Sequence, residues 1–315
     1  MKIITSFFRL IRWPNLLFIA LTMVMFRYCI IQPIFSVAGI AQNVHGIYFC
    51  LLVISYIFIA AAGYIINDYF DLNIDQINKP QKVIIAKVIS RRWVLMWHGL
   101  LSLSAIVLNV YVDREAHNKH LLSFAAFGCV VLLFLYSASL KKKFLIGNIL
   151  VAAITAWVIP ILTLCEANHL IFINRMPANF DNEKLVRLTF LYTGFAFIIS
   201  LIREVVKDME DIDGDRRYEC KTMPIVWGIN ATKVFIAVWL IVLITVLTAA
   251  QFYVLQFKWW TSVLYAFILI IAPLVYIFLK LFKAKSPQDF HQLSSTIKFV
   301  MFTGILSMIF FRVYS

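Results

Sequence analysis

The amino-acid sequence predicts an all-α polytopic membrane protein with about nine transmembrane helices. Three observations carry that expectation. Of the 315 residues, 62% are hydrophobic and only 14% are charged, and the mean hydropathy is +0.87. Apolar runs of spanning length recur along the whole chain, and the basic residues gather in alternate connections between them. A soluble fold is excluded, because so apolar a chain would leave large greasy faces in water. Helices satisfy their own backbone polar groups inside hydrocarbon.

The runs lie at roughly 15–35, 47–66, 93–112, 120–138, 144–165, 187–203, 232–254, 259–282 and 296–313, each near the ~20 residues that cross a bilayer. If the N-terminus is cytoplasmic, 21 of the 29 Lys and Arg fall on the cytoplasmic side, a strong positive-inside bias. The expected location is therefore an integral protein of the cell (inner) membrane, with its N-terminus and active site cytoplasmic. The net charge of +13 follows from this topology, so no nucleic-acid partner is expected. Lys2, Arg9 and Arg12 before the first run imitate a secretory signal, and Ala38-Gly39-Ile40-Ala41 its cleavage site. Retention as a span is the expectation, since cleavage would discard the polar pair Arg12 and Asn15.

Cys29, Cys50, Cys129, Cys165 and Cys220 are scattered, with no CxxC and no histidine at ligand spacing, and they read as packing or lipid-facing residues. The six histidines are isolated and no HExxH occurs. Zinc chemistry has no support.

The acidic residues are concentrated instead. Of sixteen Asp and Glu, ten occupy two short segments on the expected cytoplasmic side, 67–75 and 204–219. In "NDYFDLNID", Asn67, Asp71 and Asp75 recur every four residues and form one helical stripe, with Asp68 beside it. In "REVVKDMEDIDGDRRYECKTMP", Glu204, Asp208, Asp211 and Asp215 line one face until Gly214 is expected to loosen the turn. Arg203 and Lys207 are interleaved with them. Carboxylates this dense repel one another unless cations are supplied, and hard divalent cations prefer carboxylate oxygen. Solvated mixed-charge loops are the plain alternative, but two matching segments at the ends of apolar runs point to a metal-bridged phosphate ligand. Ser90-Arg91-Arg92 after the first and Asn230-Ala231-Thr232-Lys233 after the second read as matching polar helix starts. These parallels hint at two related helical halves, about 1–143 and 144–315, within a single membrane-embedded domain.

These residues resemble the UbiA superfamily of intramembrane prenyltransferases. "NDYFDLNID" matches the family pattern NDxxDxxxD. Arg12-Trp13-Pro14-Asn15 matches RxPN, Ile77 to Pro80 reads INKP, "LYSASLKKKFLIGN" at 135–148 is similar to the family's Tyr and Lys segment, and "DIDGD" followed by "KTMP" is similar to the second aspartate motif. "KVIIAK" at 82–87 departs from the family's RPIPSG. The resemblance implies nine helices around a central cavity, two facing aspartate motifs, Mg²⁺, and a prenyl diphosphate whose tail enters the membrane.

On this reading Asn67, Asp68, Asp71, Asp75, Asp208, Asp211 and Asp215 are the expected metal-site residues, Asp71, Asp75, Asp211 and Asp215 being central to catalysis. Lys79, Lys82, Lys141, Arg203 and Lys207, with Arg12 and Asn15, are the expected substrate-binding residues. Tyr136 is the aromatic singled out to face a passing allyl cation, though a membrane-interface anchor explains it equally well. Metal and side-chain cations would stabilise the charge growing on the departing diphosphate. The second motif resembles the subgroup that transfers a geranylgeranyl group to geranylgeranylglyceryl phosphate in ether-lipid synthesis. Prenylation of a naphthoate or benzoate ring in quinone synthesis is the alternative, with haem O and chlorophyll synthases more distant. Outside enzymes, the alternative is an ion or phosphate transporter, which places its acidic residues near the bilayer midplane on broken helices.

Overall fold

A computed structural model describes residues 2–78, 85, 89–116, 118–172 and 180–314. The described residues are helical almost throughout. A short amphipathic helix, α1 (Lys2–Leu10), leads into the first span, which is made of α2 (Trp13–Phe26), a π-helical turn (Arg27–Ile31) and α3 (Gln32–Val37). Then follow α4 (Gly46–Asn78), α5 (Arg91–Glu115) and α6 (Leu121–Ala138), a 3₁₀ turn (Leu140–Lys142), α7 (Ile146–Trp157) and α8 (Pro160–Phe172). The remainder is α9 (Asn182–Glu210), α10 (Ile212–Arg217), α11 (Met223–Val226), α12 (Gly228–Leu255), α13 (Trp260–Ala266), a second π turn (Phe267–Ile271), α14 (Ala272–Leu281), α15 (Pro287–Leu306) and α16 (Ile309–Tyr314). Among the described residues eight helical segments are long and apolar enough to cross a membrane, or nine if α7 and α8 count as one broken span.

Prolines account for most departures from the simple count. The run expected at 144–165 is broken at Val158 and Ile159, because Pro160 has no N–H to continue α7 but suits the first position of α8. Both π turns lie just before a proline. A proline clashes with the carbonyl four residues back, which here is Cys29 for Pro33 and Leu269 for Pro273, each within its π turn. Widening the turn by one residue relieves that clash. The Leu269 carbonyl then accepts the Thr303 hydroxyl from α15 at 2.8 Å, so that freed acceptor is not left bare in hydrocarbon.

Packing divides the chain into two units. The first comprises Met1–Lys141 and Trp157–Phe190, the second Lys142–Ala156 and Leu191–Ser315. In the first, Leu10, Ile11 and Leu16 pack with Ala61, Ile65 and Leu72 of α4 and Val94 of α5. Gly63 lets Leu133 of α6 press against α4, since a Cβ there would lie 2.9 Å from Leu133 Cδ1. Asp113, 2% exposed, replaces the missing cap of α6 by accepting the N–H groups of Leu122 (3.0 Å) and Ser123 (2.7 Å).

Near the start of α4 the first unit buries an ion pair. Arg27 Nη1 lies 3.7 Å from Glu166 Oε1, the two side chains being 4% and 2% exposed. The guanidinium also stacks 4.4 Å over Phe49, Glu166 accepts the Asn43 N–H at 2.7 Å, and Asn43 bonds Asn118 at 2.8 Å. In the second unit Ile202, Val205 and Val206 of α9 form a core with Ile236 and Leu240 of α12, Leu274 and Ile277 of α14, and Ile297 of α15. A capping box of Ser286 and Asp289 starts α15.

Removing one member of a buried ion pair strands the other charge, at a cost of about 3–5 kcal/mol. Arg27→Met is therefore expected to lower the thermal unfolding midpoint sharply in detergent. Adding Glu166→Gln, which keeps an acceptor for Asn43 N–H without the charge, should recover much of the loss. Equal midpoints for the single and double variants would show that the stranded carboxylate is not the cause.

Candidate active site

Each acidic motif sits at a helix end and is built by a different local device. In the first unit α4 runs unbroken through Asn67, Asp68, Asp71 and Asp75 to Asn78, so the four-residue spacing becomes a physical stripe. Asn67 Nδ2 donates to Asp71 Oδ2 at 2.8 Å along it. Two cations arrive from elsewhere. Lys141, in the 3₁₀ turn after α6, places Nζ 2.5 Å from Asp71 Oδ1 and 3.4 Å from Asn67 Oδ1. Arg12 places Nη2 2.6 Å from Asp68 Oδ1 and stacks 5.0 Å over the Tyr64 ring.

Arg12 takes the left-handed conformation (φ 52°, ψ 50°), unusual for a residue with a side chain, at the joint between α1 and α2. Pro14 in the first turn of α2 fixes the exit from that joint, and Asn15 N–H closes it on the Arg12 carbonyl at 2.8 Å. Burial works against the Arg12 charge, but Asp68, Tyr64 and Asp75 outweigh it and hold the guanidinium above its ordinary pKa. Asp75 lies half-buried one turn beyond Asp71, and Tyr136 half-buried in the last turn of α6. Lys79, Lys82 and Lys87 lie outside the described residues.

The second motif is organised differently from expectation. The helix does not continue to Gly214. It stops at Glu210, Asp211 forms a bend (φ −101°, ψ 12°), and Gly214 is buried inside α10. The reason lies in the charge sequence: Asp208, Glu210 and Asp211 crowd the C-terminal, negative end of the helix dipole, and a bend there starts a fresh helix with acidic residues at its favourable end. Asp211 O then accepts Asp215 N–H at 3.2 Å. After the motif α12 begins at Gly228, so the expected polar helix start at Asn230 lies in its first turn.

Asp208 Oδ2 accepts a 2.8 Å bond from Asn148 Nδ2 of α7 and lies within electrostatic reach of Asp215, Glu204 and Lys207. Arg203 and Lys207 both bond Glu204 at 3.0 Å. Lys221 N–H donates to the Lys142 carbonyl at 2.8 Å, fixing the segment after the motif, and His291 of α15 meets Glu210 at 3.0 Å. Asn148 and Tyr64 are the members that sequence reasoning missed, whereas Glu204 was read on the acidic face without being assigned a role. A signal existed only for Asn148, an amide at the start of an apolar run, which must find a partner when buried.

Among the described residues no three His, Cys, Asp or Glu side chains converge as a ready metal cage. The donor set nevertheless suits Mg²⁺. It consists of carboxylate and amide oxygen, and in the first motif Asn67 Oδ1 and Asp71 Oδ1 already converge on a cation, the Lys141 ammonium.

Comparison with known proteins adds the wider frame. Residues 30–304 match the model of the UbiA prenyltransferase family. A relative from Methanosphaera stadtmanae, named digeranylgeranylglyceryl phosphate synthase, is 30% identical over 80% of this chain and 83% of its own length. A solved structure concerned with digeranylgeranylglyceryl phosphate synthase in membranes shares the fold, with a TM-score of 0.62 at 18% identity over 98% of this chain and 99% of the other. A UbiA homologue from Archaeoglobus fulgidus, solved with DMAPP and Mg²⁺, has a TM-score of 0.56 at 14% identity over 96% of this chain and 99% of that one. The transporter alternative gives way, and the all-helical fold, the paired acidic motifs and the match over most of the chain assign one conclusion: this protein belongs to the UbiA prenyltransferase family.

Proposed function

We propose that this prenyltransferase moves a geranylgeranyl group from geranylgeranyl diphosphate to geranylgeranylglyceryl phosphate, forming an ether bond of a membrane lipid. The observation that carries the acceptor is the 30% identity with the synthase of that name over four-fifths of both chains. The donor class and the metal are supported by the Archaeoglobus fulgidus homologue, solved with DMAPP and Mg²⁺.

The first motif would hold Mg²⁺ through Asn67, Asp68, Asp71 and Asp75, and the second through Asp208, Asp211 and Asp215. When bound, the metal would supply neutralising charge for the departing diphosphate. Lys141, Lys79 and Lys82, with Arg12, Asn15, Arg203 and Lys207, bind and orient the anionic groups. Asn148 holds Asp208 in one orientation through its 2.8 Å bond. The Tyr136 ring offers its face to positive charge on the allylic carbon, and apolar walls keep water from the cation before the acceptor hydroxyl attacks. The acidic helix ends and the N-terminus face the cytoplasm, in the cell membrane, a reading supported by the excess of basic residues in the same loops.

Three measurements test this reading. Asp71→Asn and Asp211→Asn preserve shape and remove one charge each, so turnover should fall by about 100-fold or more while insertion is unaffected. EDTA should abolish wild-type turnover and Mg²⁺ restore it. Full turnover of both variants in metal-free buffer would remove the metal from the mechanism.

Product masses from purified protein given geranylgeranyl diphosphate and a panel of acceptors decide the acceptor. Prenylated geranylgeranylglyceryl phosphate is expected, and Lys82→Ala should raise the acceptor KM more than the donor KM. Product from naphthoate or benzoate alone would assign the enzyme to quinone synthesis instead. For orientation, single cysteines beside Asp71, Lys142 and Asp213 should all react with an impermeant reagent from the cytoplasmic face only. Labelling of the Asp71 and Asp213 positions from opposite faces would contradict it.

A further inference from the structure

Building on Asp71 as a metal ligand and Lys141 as a diphosphate contact, we infer that Lys141 is an exchangeable counter-ion that makes the metal and the diphosphate enter the site together. Both oxygens of Asp71 are engaged: Oδ1 by Lys141 Nζ at 2.5 Å and Oδ2 by Asn67 Nδ2 at 2.8 Å. A second potential ligand on this stripe, Asn67 Oδ1, also faces Nζ at 3.4 Å. Asn67 and Asp71 are one turn apart on an unbroken helix, so their backbones stay side by side and the oxygens that face Lys141 are the ones an incoming ion would share. A divalent ion arriving alone either displaces the ammonium or takes a remaining lone pair with that ammonium a few ångströms away. In either case a like charge opposes it, and the side chains of Lys141 and Asp71 are only 10% and 16% exposed, so water screens the repulsion little.

A diphosphate reverses the sign. Its oxygens accept the displaced ammonium and share the metal, so every cation leaving Asp71 gains an anion. Lysine suits such a transfer, with three donors on a flexible four-carbon stem. The neighbouring pair marks the contrast. Arg12 on Asp68 is planar, stacked on Tyr64, and rooted in a left-handed joint braced by Pro14, which makes it a fixed tether. Among the described residues, the first motif thus has one permanent counter-ion, Arg12, and one that moves, Lys141. Metal and diphosphate strengthen each other's binding, and loss of the diphosphate returns Lys141 to Asp71 and expels the metal. By linkage the coupling is the same in both directions.

The test uses the full chain in lipid nanodiscs and reads binding, not turnover. Mn²⁺ is titrated without diphosphate and followed by the paramagnetic resonance of the free ion. Geranylgeranyl diphosphate is titrated separately at saturating Mg²⁺ by calorimetry. Lys141→Met should bind Mn²⁺ alone about fivefold more tightly or better, and geranylgeranyl diphosphate about tenfold more weakly. Lys141→Gln, read the same way, covers the case in which the Met variant does not fold, and Lys141→Arg should keep Mn²⁺ affinity near that of the wild type. Unchanged or weaker Mn²⁺ binding by the uncharged variants overturns the exchange. Asp71→Asn separates this failure from that of the underlying reading. If it loses Mn²⁺ while Lys141→Met leaves Mn²⁺ binding unchanged, only the exchange is wrong, whereas wild-type Mn²⁺ binding by Asp71→Asn removes Asp71 as a ligand and the exchange with it.

Discussion

Three aspartates at the end of one membrane helix can be tolerated only if positive charge is brought to them, and that requirement shapes the first unit. Neither cation comes from α4 itself. Arg12 is delivered by the joint before the first span and Lys141 by the turn after α6, so neutralising the stripe ties both to the end of α4. An exposed ion pair would contribute little. Here the Asp71 pair is largely shielded from water, and loss of either partner would leave an uncompensated charge. The same arrangement that makes the fold tolerable concentrates oxygen donors and basic side chains at one place, which is what diphosphate chemistry requires.

A second buried charge pair stands near the other end of α4, and the two differ in kind. Arg27 stacks on Phe49, 22 residues before Asp71, which on a helix rising 1.5 Å per residue is about 33 Å away. At that end Glu166 is partnered by a delocalised guanidinium held against an aromatic face, and its second oxygen accepts from Asn43. The result is a clamp. Near Asp71 the acids are several and adjacent, which keeps negative charge in excess. One helix therefore carries a closed polar knot at one end and a reactive one at the other.

The spans and the Asn67, Asp71, Asp75 stripe were legible in the sequence because hydropathy and helical period depend only on the order of residues. What was illegible depends on partners far along the chain. Nothing in the first span says that Arg27 meets Glu166, and nothing before Lys141 says that it seats on Asp71 instead of serving only topology. Asn148 lay inside a quoted motif, yet its role emerged only when α7 was placed beside the end of α9. The bend at Asp211 was misassigned to Gly214 because glycine is the familiar breaker. The stronger influence was three carboxylates gathered at the negative end of a helix. Pro33, Pro160 and Pro273 each rewrote the helix around them.

The two π turns bear on how this chain may be compared with its relatives. A turn closed five residues back holds one residue more than an α-helical turn, yet the helix on either side keeps its direction and its buried face. A lineage can therefore gain or lose a single residue in the middle of a transmembrane segment without rotating the rest of that segment out of register. Where relatives lack the proline at position 33 or 273, a one-residue gap opposite 27–31 or 267–271 is the physically sensible alignment, even though insertions and deletions are ordinarily confined to loops. Sequence comparison that forbids gaps within spans would misplace every residue on one side of the turn.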